Sequence, residues 1–117
     1  MIPNGVTSIG NCAFWGCVSL TKISLSENLK TIGNRAFSDC QALSSIALPK
    51  GLLEIGEWVF SDCINLTEIN IPITVMQIGE YAFMHCSDLK IKYEGASIPS
   101  IWDSHWNDYG GTIEFGN

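Results

Sequence analysis

Four cysteines recur every 23 residues, and a fifth stands apart from them. The series is Cys17, Cys40, Cys63 and Cys86, with Cys12 outside it. Thiolates bind zinc or pair as disulfides, so both must be considered. Zinc needs ligands that converge on a point about 2.3 Å away, whereas equivalent side chains of stacked repeats run parallel, about 4.8 Å apart. We therefore expect buried thiols that fill a core column, no metal and no cofactor, and Cys12 as the exposed, reactive thiol.

His85 stands beside Cys86, and a histidine base next to a thiol is the arrangement of a cysteine nucleophile. The base must reach the sulfur within about 3 Å. The cysteine column points inward, so its neighbour His85 is expected to point outward, and a second histidine, His105, lies far along the chain. We predict no catalytic residue and no enzyme.

Acidic residues also align at the same interval, as Asp39 with Asp62 and Glu57 with Glu80. Calcium is bound where several carboxylate and carbonyl oxygens converge. Pairs of carboxylates can instead spread into solvent. We therefore expect a solvated acidic edge and no metal site.

The elements that position these residues follow from the repeat itself. Five further columns keep the interval of 23 residues. They are Ile9, Ile32, Ile55 and Ile78; Gly10, Gly33, Gly56 and Gly79; Phe14, Phe37, Phe60 and Phe83; Leu20, Leu43, Leu66 and Leu89; and Ile2, Leu25, Leu48 and Ile71. One unit of this size cannot bury its own apolar side chains, so the units must stack.

Each unit contains signals for three short elements. The alternation of Ile23 and Leu25 predicts a half-buried strand, and Pro49 and Pro72 are expected to end the equivalent strands of the next two units. Ile55 followed by Gly56 indicates a second extended segment closed by a turn. The segment 36–40 predicts a helical or 3₁₀ turn that carries Phe37 inward. Together they predict a right-handed solenoid of about four units with short parallel strands side by side.

The order of residues within one unit resembles the repeat of a known family. The pattern L-x-x-I-x-I-P-x-x-V-x-x-I-G-x-x-A-F-x-x-C begins here at Leu66 and ends at Cys86, and it resembles the BspA-type leucine-rich repeat of bacterial and protozoan surface proteins. Ser26 replaces the proline in one unit and Val59 the alanine in another. The resemblance implies a leucine-rich-repeat solenoid at the cell surface or secreted, which binds a protein ligand on a host or extracellular surface and has no catalytic residues.

The repeat predicts two segments, the repeat units at 1–93 and a C-terminal cap at 94–117. Solenoids need a terminal unit that hides the last apolar columns. The aromatic residues Trp102, Trp106, Tyr109 and Phe115 have the bulk for that role. No equivalent cap precedes the first unit. We therefore expect a fragment of a longer protein, with self-association through the uncovered N-terminal end as the alternative.

Composition excludes several partners. The 117 residues carry a net charge of −6, which disfavours nucleic acid and anionic membrane surfaces. With 46 % hydrophobic and 15 % charged residues the chain is expected to bury a core. The sequence contains no run of about 18 apolar residues, so we expect no membrane insertion. The first residues carry no recognisable signal peptide.

Two surfaces are candidates for binding. The first is a patch of apolar residues where the repeat does not require them: Leu53, Trp58, Met76 and Tyr81. The second is the outward side of the strands: Lys22, Ser24, Ser45, Glu68 and Asn70. Two other functions stay open, a glycan site built from the cap aromatics Trp102, Trp106 and Tyr109, and a purely structural spacer.

Overall fold

The computed structural model describes residues 3–116, within which seven short strands are joined by turns. The strands are β1 (Ser8–Ile9), β2 (Thr31–Ile32), β3 (Glu54–Ile55), β4 (Glu68–Ile71), β5 (Gln77–Ile78), β6 (Lys90–Tyr93) and β7 (Thr112–Phe115). They form two parallel sheets, β1-β2-β3-β5 and β4-β6-β7. The stacked parallel strands confirm the predicted solenoid, whose right-handed sense stays a prediction. Ile2, a member of one apolar column, lies outside the described residues.

The first sheet follows the isoleucine–glycine column. Ile9 pairs with Ile32, which pairs with Ile55 and then Ile78, and all four side chains are buried. The glycines after the last three isoleucines, Gly33, Gly56 and Gly79, lie against the preceding turn of the chain, whereas Gly10 has open space beside it. A Cβ atom on Gly79 would stand 2.6 Å from the backbone nitrogen of Glu57. Close approach of the backbones therefore requires glycine at this position.

The second sheet is shorter than the repeat predicts. Strands β4, β6 and β7 pair in register, with Ile69 opposite Ile91 and Ile91 opposite Ile113. The equivalent segments 20–25 and 43–48 are not strands, which corrects the expectation from their alternation. Ile46 is nevertheless buried, because packing of the apolar columns holds these segments without a regular ladder of hydrogen bonds.

The expected helical turn is a run of turns instead. Five such runs, at 11–16, 34–39, 57–62, 80–85 and 104–109, stack on one side of the solenoid, which we call the turn face. Trp58 and Asp62 both have a φ of 60°, whereas a 3₁₀ helix needs negative values. The left-handed residues reverse the chain direction locally, so that Phe60 donates a backbone hydrogen bond to Ala82 of the next unit, at 2.8 Å. Residues 3–116 contain no helix. These residues accordingly provide no helix that is long and apolar enough to cross a membrane.

One column of the core consists of the stacked phenylalanine rings under the turn face, beside the buried isoleucine and leucine columns. The centroids of Phe14, Phe37, Phe60 and Phe83 are 5.2, 5.6 and 5.5 Å apart, and their planes lie within 7° of parallel. The last three of these rings are fully buried. The spacing of the rings matches that of neighbouring strands, so one repeat dictates both.

The terminal segment continues the solenoid by a further turn. Asp103 donates its backbone hydrogen bond to Ile78, and β7 pairs with β6. Trp102 and Trp106 are buried against Tyr93 and Phe83, as a cap requires. Tyr109 is 70 % exposed and does not cover the core. Phe115 is 43 % exposed, so the burial expected of both residues is corrected.

Candidate functional site

Three members of the cysteine column form an inner ladder of buried thiols, whereas Cys17 in the first unit is only partly buried, which corrects the expectation for that residue. The Sγ atoms of Cys40, Cys63 and Cys86 donate to the carbonyl oxygens of Phe14, Phe37 and Phe60 at 3.1, 3.1 and 2.9 Å. Burial raises the pKa of each of these three thiols, and that of Cys86 reaches about 12. They are neutral and fill space in the core. Cys12 is exposed, in agreement with its position outside the column.

His85 and Cys86 face opposite directions. The Nδ1 atom of His85 lies 2.7 Å from the Oδ1 atom of Asp62, on the surface of the preceding unit. Cys86 is buried and bonded to Phe60. The imidazole is therefore directed away from the Cys86 thiol. In the part of the chain that the structure describes, no group of three or more His, Cys, Asp or Glu residues is arranged to hold a metal ion.

The turn face carries a column of stacked side chains that we call the outer stack: Arg35, Trp58, Tyr81 and His105. The Arg35 guanidinium carbon lies 5.3 Å from the centre of the Trp58 ring. The Trp58 and Tyr81 rings are 5.0 Å apart and tilted by 55°, and the ring of His105 follows at 6.1 Å. Both central rings are partly buried. The structure thus brings together Trp58 and Tyr81, as the spacing predicts.

Backbone geometry fixes the outer stack. Arg35, Trp58 and Tyr81 have φ values of 60°, 60° and 54°. The backbone N–H groups of Arg35 and Trp58 donate to the carbonyl oxygens of Glu57 and Glu80, each of which directly precedes the next member of the stack. The N–H group of Tyr81 donates to the carbonyl oxygen of His105 itself, at 3.0 Å. Left-handed conformations are unfavourable for bulky residues and persist where the surrounding structure determines them. Since Cys12 has the same φ of 60°, the conformation belongs to the repeat, whereas the choice of Trp and Tyr does not.

Sequence reasoning did not include Arg35 and His105 in the patch. Arg35 shares the column of Trp58 and was available as a signal. His105 follows Tyr81 by 24 residues, so the strict interval of 23 does not find it. A hydrogen bond of 2.7 Å to Asp108 raises the pKa of His105, and the charges of Asp103 and Glu80 add to this effect.

Leu53 and Met76 lie next to each other but apart along the chain from the aromatic pair. Met76 donates a backbone hydrogen bond of 2.7 Å to Leu53. The side chains are 37 % and 58 % exposed. They precede β3 and β5, whereas Trp58 and Tyr81 follow the glycine bends after those strands. The predicted patch therefore consists of two pairs.

The strand face comprises the outward residues of 22–24, 45–47, β4, β6 and β7. All five predicted residues, Lys22, Ser24, Ser45, Glu68 and Asn70, are exposed. Four of these five line a shallow groove of about 760 Å³, and Glu68 does not. Glu68 instead pairs with Lys92 at 3.3 Å, and Lys90 pairs with Glu114 at 3.4 Å. The prediction omitted Lys90 and Lys92, although their alternation with Ile91 and Tyr93 indicated an outward position.

Comparisons with known proteins agree with this architecture. The profile of the BspA type leucine rich repeat region matches residues 1–107 in six copies. A leucine-rich repeat protein from Bacteroides ovatus superposes with a TM-score of 0.81 at 32 % identity, over 93 % of this chain and 28 % of its own. A leucine rich repeat protein from T. pallidum gives 0.74 at 31 %, over 95 % and 46 %.

A third solved structure, a leucine rich cell surface protein from Faecalibacterium prausnitzii, shares the fold with a TM-score of 0.65 at 24 % identity, over 97 % of this chain and 38 % of its own. The chain thus spans less than half the length of these three proteins. Curated proteins give no match. The solenoid, its columns and the matched repeats lead to one conclusion: the chain belongs to the BspA-type leucine-rich repeat family.

Proposed function

We propose that the chain is a non-enzymatic adhesion module that recognises a protein ligand through the outer stack. The observation that carries this proposal is the contact of Trp58 and Tyr81 at 5.0 Å between Arg35 and His105. Trp, Tyr and Arg are the residues that most often dominate binding energy at protein interfaces. Here they are held in place before any ligand arrives, which reduces the entropy lost on binding.

A cell-surface or secreted location is part of the proposal. Its support is membership of a family of surface repeat modules and the description of the Faecalibacterium prausnitzii protein as a cell surface protein. The partner is accordingly proposed to be an extracellular or host-surface protein.

The strand face is the second candidate surface for a protein ligand. Its groove has an apolar floor that includes Phe14, Ile23 and Ile46. Its charged residues Glu68 and Lys92 are already paired with each other. A partner must break or accommodate such pairs, so we rank this face below the outer stack.

The glycan alternative loses most of its aromatic surface in the structure. Trp102 and Trp106 are buried, and Trp102 uses its indole N–H to donate to Val75. Tyr109 is the exposed ring of the three. A single ring gives less stacking area than the predicted platform, and we retain glycan binding and the spacer as outcomes of the test.

Binding to immobilised extracellular matrix proteins and to a glycan array tests the proposal. We expect protein binding that is lost in Trp58→Ala and retained in Trp15→Ala, a matched control because Trp15 is 54 % exposed outside the outer stack. Trp58→Leu keeps apolar bulk at this position and serves as the control for folding. We expect its melting temperature to equal that of the unchanged protein. Loss in Ser45→Arg alone moves the site to the strand face. Glycan binding lost in Tyr109→Ala, or no binding by a folded chain, contradicts the proposal.

A further inference from the structure

We propose that the ligand segment bound by the outer stack is basic, and that it places an arginine side chain against Trp58 and Tyr81. This inference rests on the proposed function and names the chemistry of its partner. Three observations carry it: the charge of the turn face, the arginine already held there, and the geometry of the two rings.

The turn face is strongly acidic. Its five runs contain the acidic residues Asp39, Glu57, Asp62, Glu80 and Asp108, and the single basic residue Arg35, for a net charge of −4 with neutral histidines. Glu57 and Glu80 immediately precede the two rings of the stack. Asp62 and Asp108 each lie 2.7 Å from a histidine ring, whereas Glu57 and Glu80 form no ion pair within residues 3–116. By contrast, the sheet of the strand face is balanced, with Lys90 and Lys92 each paired to a carboxylate. An approaching cation is therefore attracted to the turn face in particular.

The stack already holds one guanidinium. Arg35 lies over Trp58 at 5.3 Å, within the range of cation–π contact. The 55° tilt between Trp58 and Tyr81 leaves their faces only partly covered by each other. Both residues are partly exposed. A second guanidinium, supplied by the ligand, can contact the ring faces while it pairs with Glu57 or Glu80.

The planar shape of the site favours arginine over lysine. A guanidinium stacks on an aromatic face and forms paired hydrogen bonds with a carboxylate, whereas an ammonium is a compact and more strongly hydrated charge. Acidic segments and nucleic-acid phosphates are repelled by the charge of −4. The structure thus assigns a basic protein segment to this surface rather than an acidic one.

Fluorescence anisotropy with three labelled peptides tests the inference. The peptides alternate glycine with arginine, lysine or glutamate. We expect the arginine peptide to bind about fivefold more tightly than the lysine peptide, and the glutamate peptide not to bind. Trp58→Ala should weaken binding of the arginine peptide about tenfold, with Trp15→Ala as the control.

Charge variants separate this site from general attraction to an acidic protein. Glu57→Gln/Glu80→Gln should weaken binding about threefold, whereas Glu27→Gln/Asp88→Asn, which removes the same charge at exposed positions outside the turn face, should not. Equal effects of the two pairs, or equal affinity for the arginine and lysine peptides, would overturn the inference.

The protein partner from the binding panel distinguishes the two proposals. The inference is supported if the arginine peptide competes with the partner and if partner binding weakens as the salt concentration is raised from about 50 to about 500 mM. Partner binding that needs Trp58 but resists both salt and the peptide leaves the proposed function standing and removes the basic segment. Partner binding that is indifferent to Trp58→Ala removes both.

Discussion

The two faces of the solenoid are built from the same 23-residue unit, yet they differ in regularity. On the turn face, backbone hydrogen bonds join successive units from Cys12 to Tyr109. On the strand face, the ladder of strands is complete only for β4, β6 and β7. The turn face is supported by the stacked phenylalanines, whereas the strand face is supported by aliphatic columns. The comparison teaches that burial of equivalent side chains does not by itself produce a regular ladder, because the backbone hydrogen bonds of the turn face continue through every unit whereas those of the strand face are regular from β4 onward.

The largest effect that tests this difference is truncation of a core ring. Phe60→Ala removes stacking with Phe37 and Phe83 and should lower the free energy of unfolding by about 3–5 kcal/mol. Ile46→Ala, on the less regular strand side, should lower it by about 2–3 kcal/mol. Urea unfolding measures both, with Ile73→Ala as an exposed control that should change little. Equal losses at Phe60 and Ile46 would break the comparison.

An intermediate effect concerns the thiols that lie under the turn face. Burial raises the pKa of Cys86 from 9.0 to about 12 and raises that of Cys63 as well, so above pH 9 the unfolded chain loses these protons before the folded chain does. Stability is therefore intact below pH 9 and should fall by up to about 1.4 kcal/mol per pH unit for each thiol as the pH rises above it. Urea unfolding at several alkaline pH values gives the slope. Cys86→Ala should make the slope shallower, and an unchanged slope would contradict this account.

The smallest effect belongs to the strand face. Lys92→Gln removes an ion pair of 3.3 Å with Glu68, in which both side chains are about half exposed. We expect a loss of about 0.5 kcal/mol or less at low salt, and none at high salt. Lys22→Gln makes the same charge change where the strand face has no assigned strand. If Lys92→Gln lowered the free energy of unfolding by clearly more than Lys22→Gln does, ion pairs as well as apolar columns would hold this sheet together.

Sequence periodicity predicted the parts of the molecule that depend on buried columns. Buried Ile, Phe and Cys side chains recur because each must meet its counterpart one unit away, and the contact of Trp58 with Tyr81 follows from the same interval. The left-handed backbone at Trp58 could not be predicted, because hydrogen bonds from neighbouring units impose it on a residue with no preference for it. His105 was missed because the terminal turn contains one extra residue before it.

The strands expected at 20–25 and 43–48 show a second limit. Their alternation of apolar and polar residues is the same as that of β4. Alternation records which side chains are buried, and here burial is achieved without the ladder. The pattern therefore predicted the inward residues Leu43 and Ile46 correctly but not their backbone hydrogen bonds.

The spacing of the outer stack also limits the length of any segment it can recognise. The centres of its successive rings are 5.0 and 6.1 Å apart. An extended peptide lying along the stack presents side chains on one side about every 6.6 Å. The side chains of such a peptide therefore coincide with the rings of the outer stack for only one or two contacts. If the outer stack binds an extended segment, as we propose, lengthening that segment along the stack therefore adds little further contact with the rings.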